Sequence, residues 1–334
     1  MSAHFVKKSL FICVLLIHVK LIAYGQLMND TLAFWEPATT LNKARLKTGI
    51  ATAAVGYTTF SYGLYNTWYK QFETEPFHLF NDWGEWEHMD KIGHLYTAYF
   101  QSGFVYNAGR WTGLEEKKAI WIAVMTGTLF QSTIEVMDGF SSEWGFSLSD
   151  MAANTVGIAA FGLQQGYWGE QRIMFKVSSW PKSYSISHFS SEDGLISTNL
   201  DTRASELFGD SFLERYLKDY NAQTLWASVN VHSFLSEDTK WPKWLNIAAG
   251  YSGENMFGGF ENKWTTDGSE FVLGAEHERY VQFIITPDID FTRINPKSHF
   301  LRFVLGGLNV FKLPMPGISL NSRGELNFHF IYKH

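Results

Sequence analysis

The chain has 334 residues, 46% of them hydrophobic, 17% aromatic and only 18% charged, which supports a sizeable core and excludes wholesale disorder. With 8 Pro, 28 Gly and a single Cys, it is neither collagen-like nor a disulfide scaffold. A formal net charge of -6, without a basic stripe, argues against nucleic acid as the main partner.

Lys7 and Lys8 precede an apolar stretch from Ser9 to Ile17, and a short, less apolar tail ends at Gly25-Gln26. A positive n-region, a short h-region and a small-x-small end describe a secretory signal peptide over residues 1–25. His18 and Lys20 interrupt the run before the roughly 20 apolar residues that a transmembrane helix needs. Bulky Phe11 and Ile12 stand before Cys13, where a lipobox carries small residues. Export to the periplasm or outer membrane is expected, with an uncleaved anchor in the inner membrane as the alternative. The mature chain would then hold no cysteine, which removes disulfide and thiol chemistry.

From about residue 45 to 170 the charges withdraw into short clusters. Thr48–Tyr69, Ile92–Gly109, Ala119–Ile134 and Met151–Gly169 contain no Asp, Glu, Lys or Arg, and each is long enough for a helix in a bundle or in lipid. Small residues such as Gly49, Ala53, Gly56 and Gly63 suit close helix packing. Basic and acidic loops alternate as the positive-inside rule requires with the Lys43 side cytoplasmic, whereas a cleaved signal peptide puts that side in the periplasm. The signal peptide is the stronger of the two.

After Trp180-Pro181 the pattern moves toward period two. Leu225, Ala227, Val229 and Val231 oppose Ser228, Asn230 and His232, and Val281, Phe283, Ile285, Ile289 and Phe291 oppose Gln282, Thr286, Asp288 and Asp290. These read as half-buried antiparallel strands. Ser298–Val310 reads as an amphipathic helix capped by Ser298. The final Leu326–Tyr332 alternates aromatics with mixed residues, as does the last strand of an outer-membrane barrel or of a soluble sheet.

Polar residues gather at the ends of the helical segments. Asp90, Lys91 and His94 open the second, Glu135 and Asp138 close the third, and Asp150 and Asn154 open the fourth. Residues three or four apart share a helix face, and short loops make consecutive helices antiparallel. Topology therefore brings these residues to one end of the bundle. Carboxylates with an imidazole suit a divalent cation, for which His94, Glu135, Asp138 and Asp150 are the candidate ligands. Crowded carboxylates also suit acid–base work. The third reading is purely structural, an ion pair of Asp90 with Lys91 and a Ser147/Asp150 cap. His78 and His88 flank a Trp-rich acidic loop that reads as packed by its aromatics. There is no phosphate loop, dinucleotide fingerprint or Cys/His zinc pattern.

Asp90-Lys91-x-x-His94, Glu135-x-x-Asp138 and Gly145-x-Ser147-x-x-Asp150-x-x-x-Asn154-x-x-Gly157 together resemble the YfiM-like family of bacterial envelope proteins, over roughly residues 88–165. They are more distantly similar to VanZ-like membrane proteins, with which Asn154 agrees where YfiM carries aspartate. The second half, with Asp219-Tyr-Asn-Ala-Gln-Thr-Leu-Trp226, resembles longer members from Bacteroidota. The resemblance implies an envelope location and a shared polar constellation, and no activity.

The expected architecture is α+β: a four-helix, membrane-associated bundle over residues 40–172, then an antiparallel β-rich domain over 180–334. The leading functional expectation is a non-catalytic scaffold or lipid/glycan-binding component whose partners are membrane or envelope components. A metal-assisted hydrolase of an envelope lipid or glycan, and a transport or insertion accessory, are the alternatives.

Overall fold

The computed structural model describes residues 32–70 and 73–333, so the expected signal segment lies outside the described residues. Four long helices come first: α1 (Lys43–Leu64), α2 (Met89–Trp111), α3 (Glu116–Asp138) and α4 (Leu148–Trp168). Each coincides with one of the charge-free segments. Asn42 and Ser147 cap α1 and α4 by accepting the backbone N–H of Arg45 and Asp150. Gly169 ends α4 in the left-handed conformation that favours glycine.

Helices α2, α3 and α4 form the packed unit. Gly157 sets the α2–α4 distance, since a Cβ there would sit 2.2 Å from the carbonyl oxygen of Leu95. Helix α1 lies at the margin. Arg45 is its one buried residue among those described, and its guanidinium stacks on Trp111, 4.6 Å from the ring, while donating to the carbonyl of Trp111.

The second half is a six-stranded antiparallel sheet in the order β1 (Ile173–Ser179), β4 (Gln223–Val229), β5 (Leu245–Glu254), β8 (Tyr280–Ile289), β9 (Met315–Asn321) and β10 (Leu326–Tyr332). Two small hairpin sheets, β2–β3 (Phe189–Ser190, Ser197–Thr198) and β6–β7 (Lys263–Thr266, Ser269–Val272), stand beside it with α5 (Leu200–Phe208) and α6 (Phe212–Lys218). A third short helix, α7 (His299–Leu308), carries the Ser298 cap expected of it. Bundle and sheet share a core: Met89 of α2 packs with Val177, Leu225 and Met256.

The strands alternate as expected, but with the opposite sense of burial. On β8, Gln282, Ile284, Thr286 and Asp288 are buried, while Phe283 and Ile285 are 58% and 56% exposed. The apolar face of β8 therefore points outward, where a half-buried strand of a water-soluble sheet would turn it in. The reason lies in the curl of the sheet. Tyr332 at the end of β10 reaches over to Thr224 and Ser252, its hydroxyl 3.3 Å from each, and its ring lies 5.7 Å from that of Trp226. The segment before β9 closes the edge of β1, with Val177 bonded to Val310 and Lys312.

Polar groups enclosed in this way must pair with one another. Lys176, fully buried, lies 2.7 Å from Asp288 Oδ2 and donates to the carbonyl of Ile289 and to Asn309 Oδ1. Ser228 donates to Asp288, Asn246 to Ser228, and Asn230 to Asn246. Asp288→Ala should cost about 3–5 kcal/mol by stranding the Lys176 ammonium. Combining Lys176→Met with Asp288→Leu should cost less than that single change. Equilibrium denaturation followed by far-UV circular dichroism measures both.

Candidate functional site

The start of α2, the end of α3 and the start of α4 meet at one end of the bundle, and their polar side chains converge there. The centre is Lys91, whose ammonium lies 2.8 Å from Asp82, 2.9 Å from Asp90 and 2.7 Å from Asp150. Asp82 is brought in by a short parallel bridge that pairs Leu79 with Phe146. Gly145 permits this approach, because a Cβ there would lie 2.6 Å from that of Phe80. Ser147 and Ser149 both donate to Asp82 Oδ1 at 2.6 Å, so one serine caps α4 and clamps Asp82 as well.

His94 forms the second layer. Its Nε2 faces Asp90 at 3.7 Å and Asp150 at 3.9 Å, and its Nδ1 faces Glu135 at 3.5 Å and the side-chain oxygen of Asn154 at 3.3 Å. The Asn154 amide donates to Glu135 Oε1, while Glu135 Oε2 is buried with no hydrogen-bond partner among the described residues. Asp138, one turn further along α3, accepts a 2.5 Å hydrogen bond from Tyr69. Asp90, His94 and Asp150 offer ligand atoms within 4.8 Å of one another, and so do Asp82, Glu85 and Asp90.

Of the residues expected from the sequence, Asp90, Lys91, His94, Glu135, Asp150 and Asn154 thus come into mutual contact, whereas Asp138 is bonded to Tyr69 and reaches Glu135 and His94 only through its charge. Sequence reasoning missed Asp82, Ser149, Tyr69 and Tyr220. Asp82 falls in the aromatic loop, and no helical spacing links it to Lys91. Tyr220 comes from the β half and donates to Asp90 Oδ1 at 3.0 Å. It sits within the Asp219–Trp226 stretch, but nothing local ties it to a bundle 130 residues away.

The loop before α2 is strained. Trp86, Glu87 and His88 all have φ between 50° and 62°, in the left-handed region. The sheet holds them there. Trp86 N–H donates to Gly259, Tyr251 donates to the Glu87 carbonyl at 2.7 Å, and Arg279 pairs with the Glu87 carboxylate at 3.0 Å. The first turn of α2, with Asp90 and Lys91, is therefore positioned from the β half.

Charge is unbalanced here. Asp82, Glu85, Asp90, Glu135, Asp138 and Asp150 surround only Lys91 and His94. Burial, reinforced by neighbouring carboxylates, pushes Glu135 up to about 8, Asp150 to about 7, Asp138 to about 6 and Glu85 to about 7. Burial opposes charge on His94 as well, but Asp90, Asp150 and Glu135 outweigh it and hold the imidazolium above its usual range. Burial likewise disfavours the Asp82 carboxylate, yet bonds from Asp150, Lys91, Ser147 and Ser149 keep it well below the usual carboxylate range. Lys91 stays firmly charged among its carboxylates despite burial.

The neutral-pH behaviour follows from these directions. Glu135 and Asp150 hold protons in the folded chain that the unfolded chain releases near 4.5 and 3.8, so their contribution is largest in acid. It is lost as pH rises through about 7 and 8. The raised His94 acts in the same sense above its ordinary value. In chelator-containing buffer the melting temperature should fall from pH 5 to pH 8, with Glu135 alone contributing about 1.4 kcal/mol per pH unit. Glu135→Gln should flatten that slope, as melts across the range would measure.

A groove of about 400 Å³ runs between α3 and α4, lined mainly by apolar side chains including Trp121, Val124 and Ile158, with Gln131 and Asn154 as polar members. Asn154 is thus shared between the groove and the cluster.

No curated protein and no solved structure matches the chain. Residues 79–165 match a family of unknown function, DUF2279, described as a predicted periplasmic lipoprotein. The match covers α2, α3, α4 up to Gln165 and every bundle residue of the cluster except Tyr69. It supports an uncharacterised bacterial envelope family and is consistent with export to the periplasm or outer membrane.

Proposed function

We propose that the cluster is a divalent-cation site in a cell-envelope protein, with Asp90, His94 Nε2 and Asp150 as ligands, Glu135 and Asn154 orienting the imidazole from its Nδ1 side, and Lys91 as the fixed counter-charge that holds Asp82, Asp90 and Asp150 together. The observation that carries this reading is the convergence of Asp90, His94 and Asp150, whose ligand atoms lie within 4.8 Å of one another inside an excess of carboxylates. A buried acceptor without a donor is costly, and an ionised one more so. Either protons or a cation must compensate. An anion such as phosphate is disfavoured, because Lys91 is already engaged by three carboxylates. Carboxylates with one imidazole and no thiolate suit Zn²⁺ or Mn²⁺ better than soft ions. In this reading the bound ion locks the helix ends, and the protein serves as a scaffold rather than a catalyst.

The groove gives some weight to a second reading, in which the ion assists hydrolysis of an envelope lipid or glycan. An apolar chain lying between α3 and α4 would bring its polar end to Asn154, next to His94 and Glu135.

Elemental analysis and calorimetric titration of the detergent-purified protein with Zn²⁺ and Mn²⁺ test the proposal. One ion per chain is expected, bound more tightly at pH 8 than at pH 6, because the ion displaces protons from His94 and Asp150. His94→Ala and Asp150→Asn should each lower affinity by ten-fold or more. An unaltered wild-type melting temperature in the presence of every ion tried would leave protons as the compensating charge and sink the cation reading.

A further inference from the structure

The sheet is built inside out, and the inversion is regular. Outward residues form cross-strand rows: Tyr251, Phe283, Leu320 and Leu326 in one, Ala249, Ile285, Ile318 and Phe328 in the next, and Ile247 beside Pro287 in a third. None carries a charge. Several are bare: Phe328 is 72% exposed, Leu326 71%, and Phe330 further along β10 80%. The opposite faces of the same strands hold the enclosed network around Lys176, Asp288 and Asn246. On β1 and β4 the outward face is covered, since Val177 and Leu225 pack on Met89 of α2. On β8, β9 and β10 no described element covers it, and β5 is covered only at its Tyr251 and Gly253 end, by Met89 and the loop before α2.

Both ends of this bare wall are polar. At one end lie Glu278, Arg279, Arg323 and Glu325, with the Arg323 guanidinium 4.3 Å from the Tyr280 ring. At the other lie Lys240, Trp241, Lys243 and Trp244. An uncharged belt between rims of aromatic and charged side chains is the pattern of a lipid-facing β surface.

We propose that the outer wall of β5, β8, β9 and β10 lies against the acyl chains of a lipid bilayer. In water the hydrophobic effect turns apolar residues inward, so a sheet that encloses its polar residues and exposes its apolar ones is stable where its outer medium is apolar. One protein partner would cover one face. Here apolar exposure extends to the bundle, which beside a small core of Tyr99, Ala123 and Phe161 buries Ser102, Gln131, Glu135 and Asn154 while exposing Trp121, Met125, Leu129 and Leu163. It extends also to α7, which buries none of its residues and exposes Phe300, Leu301 and Phe303. Apolar surface on so many separate elements fits a continuous medium. Helix α3 is the one described helix long and apolar enough to cross a membrane by length and composition. The sheet's contact with lipid is a separate claim and does not depend on the cation reading.

The test places an environment-sensitive fluorophore on the full chain. With Cys13→Ser as background, Phe328→Cys and Ile285→Cys report the wall, and Glu192→Cys reports an exposed site beside the small hairpins. The protein is reconstituted into phosphatidylethanolamine/phosphatidylglycerol vesicles with or without brominated acyl chains. Blue-shifted emission and several-fold stronger quenching by brominated lipid at 328 and 285 than at 192 are expected. Equal, water-like emission at all three positions overturns the proposal. So does a blue shift at 328 and 285 without quenching, which would place a second copy of the chain on the wall. As a label-free check, Phe283→Glu with Phe328→Glu should reduce flotation with vesicles several-fold at unchanged circular dichroism, and unchanged flotation counts against lipid contact. Metal content reads the cation site independently of either result.

Discussion

The ammonium of Lys91 is the interaction on which the bundle end depends. A lone buried cation would shed its proton or unfold its surroundings, and three carboxylates within 2.9 Å remove that option. Each carboxylate comes from a different place: Asp90 from the same helix, Asp150 from α4 and Asp82 from the loop that pairs with residue 146. One ammonium thereby ties α2, α4 and the strand-like segment that precedes α2 together. Its charge is fully spent on that task. What the surrounding carboxylates lack in compensation is left to His94 and to whatever the site takes up.

The geometry is held from outside the bundle as well. Three consecutive left-handed residues just before α2 cost on the order of 1–3 kcal/mol each when uncompensated. Tyr251, Arg279 and the carbonyl of Gly259 hold them, and Tyr220 adds a hydrogen bond to Asp90. The β half thus acts as a brace for the helical site. The shared core of Met89, Val177, Leu225 and Met256 gives the brace its rigidity. A bundle cut away from the sheet would keep its sequence motifs and lose the strained turn that aims them.

One chemical theme runs through both halves: polar networks are enclosed beside small apolar clusters, while large apolar side chains face outward. Among the described residues, the sheet interior satisfies its donors in a continuous chain from Lys176 through Asp288, Ser228 and Asn246 to Asn230. Such networks are stable only when nearly every group is paired, since low dielectric strengthens good pairs and penalises orphans alike. The bundle end differs in its charge balance: Asp90, Glu135, Asp138 and Asp150 crowd round His94 and a Lys91 already engaged by three carboxylates, where Asp288 of the sheet has Lys176 to itself.

The sequence by itself determined the four helices, because charge-free stretches of helical length leave little else for those segments to be. It also determined that Asp90, Lys91, His94, Glu135, Asp150 and Asn154 would meet, because i, i+3 and i, i+4 spacing and antiparallel connection fix which helix ends are neighbours. The alternation of Val281–Phe291 likewise announced strands. Periodicity states that two faces differ, however, and is silent on which one faces in. Only the curl of the sheet, with Tyr332 closing over Thr224 and Ser252, decided that the polar face is enclosed. Asp82, Tyr69 and Tyr220 were likewise decided by tertiary structure alone, since they reach the cluster through a bridge, a helix end and a second layer that no local spacing encodes.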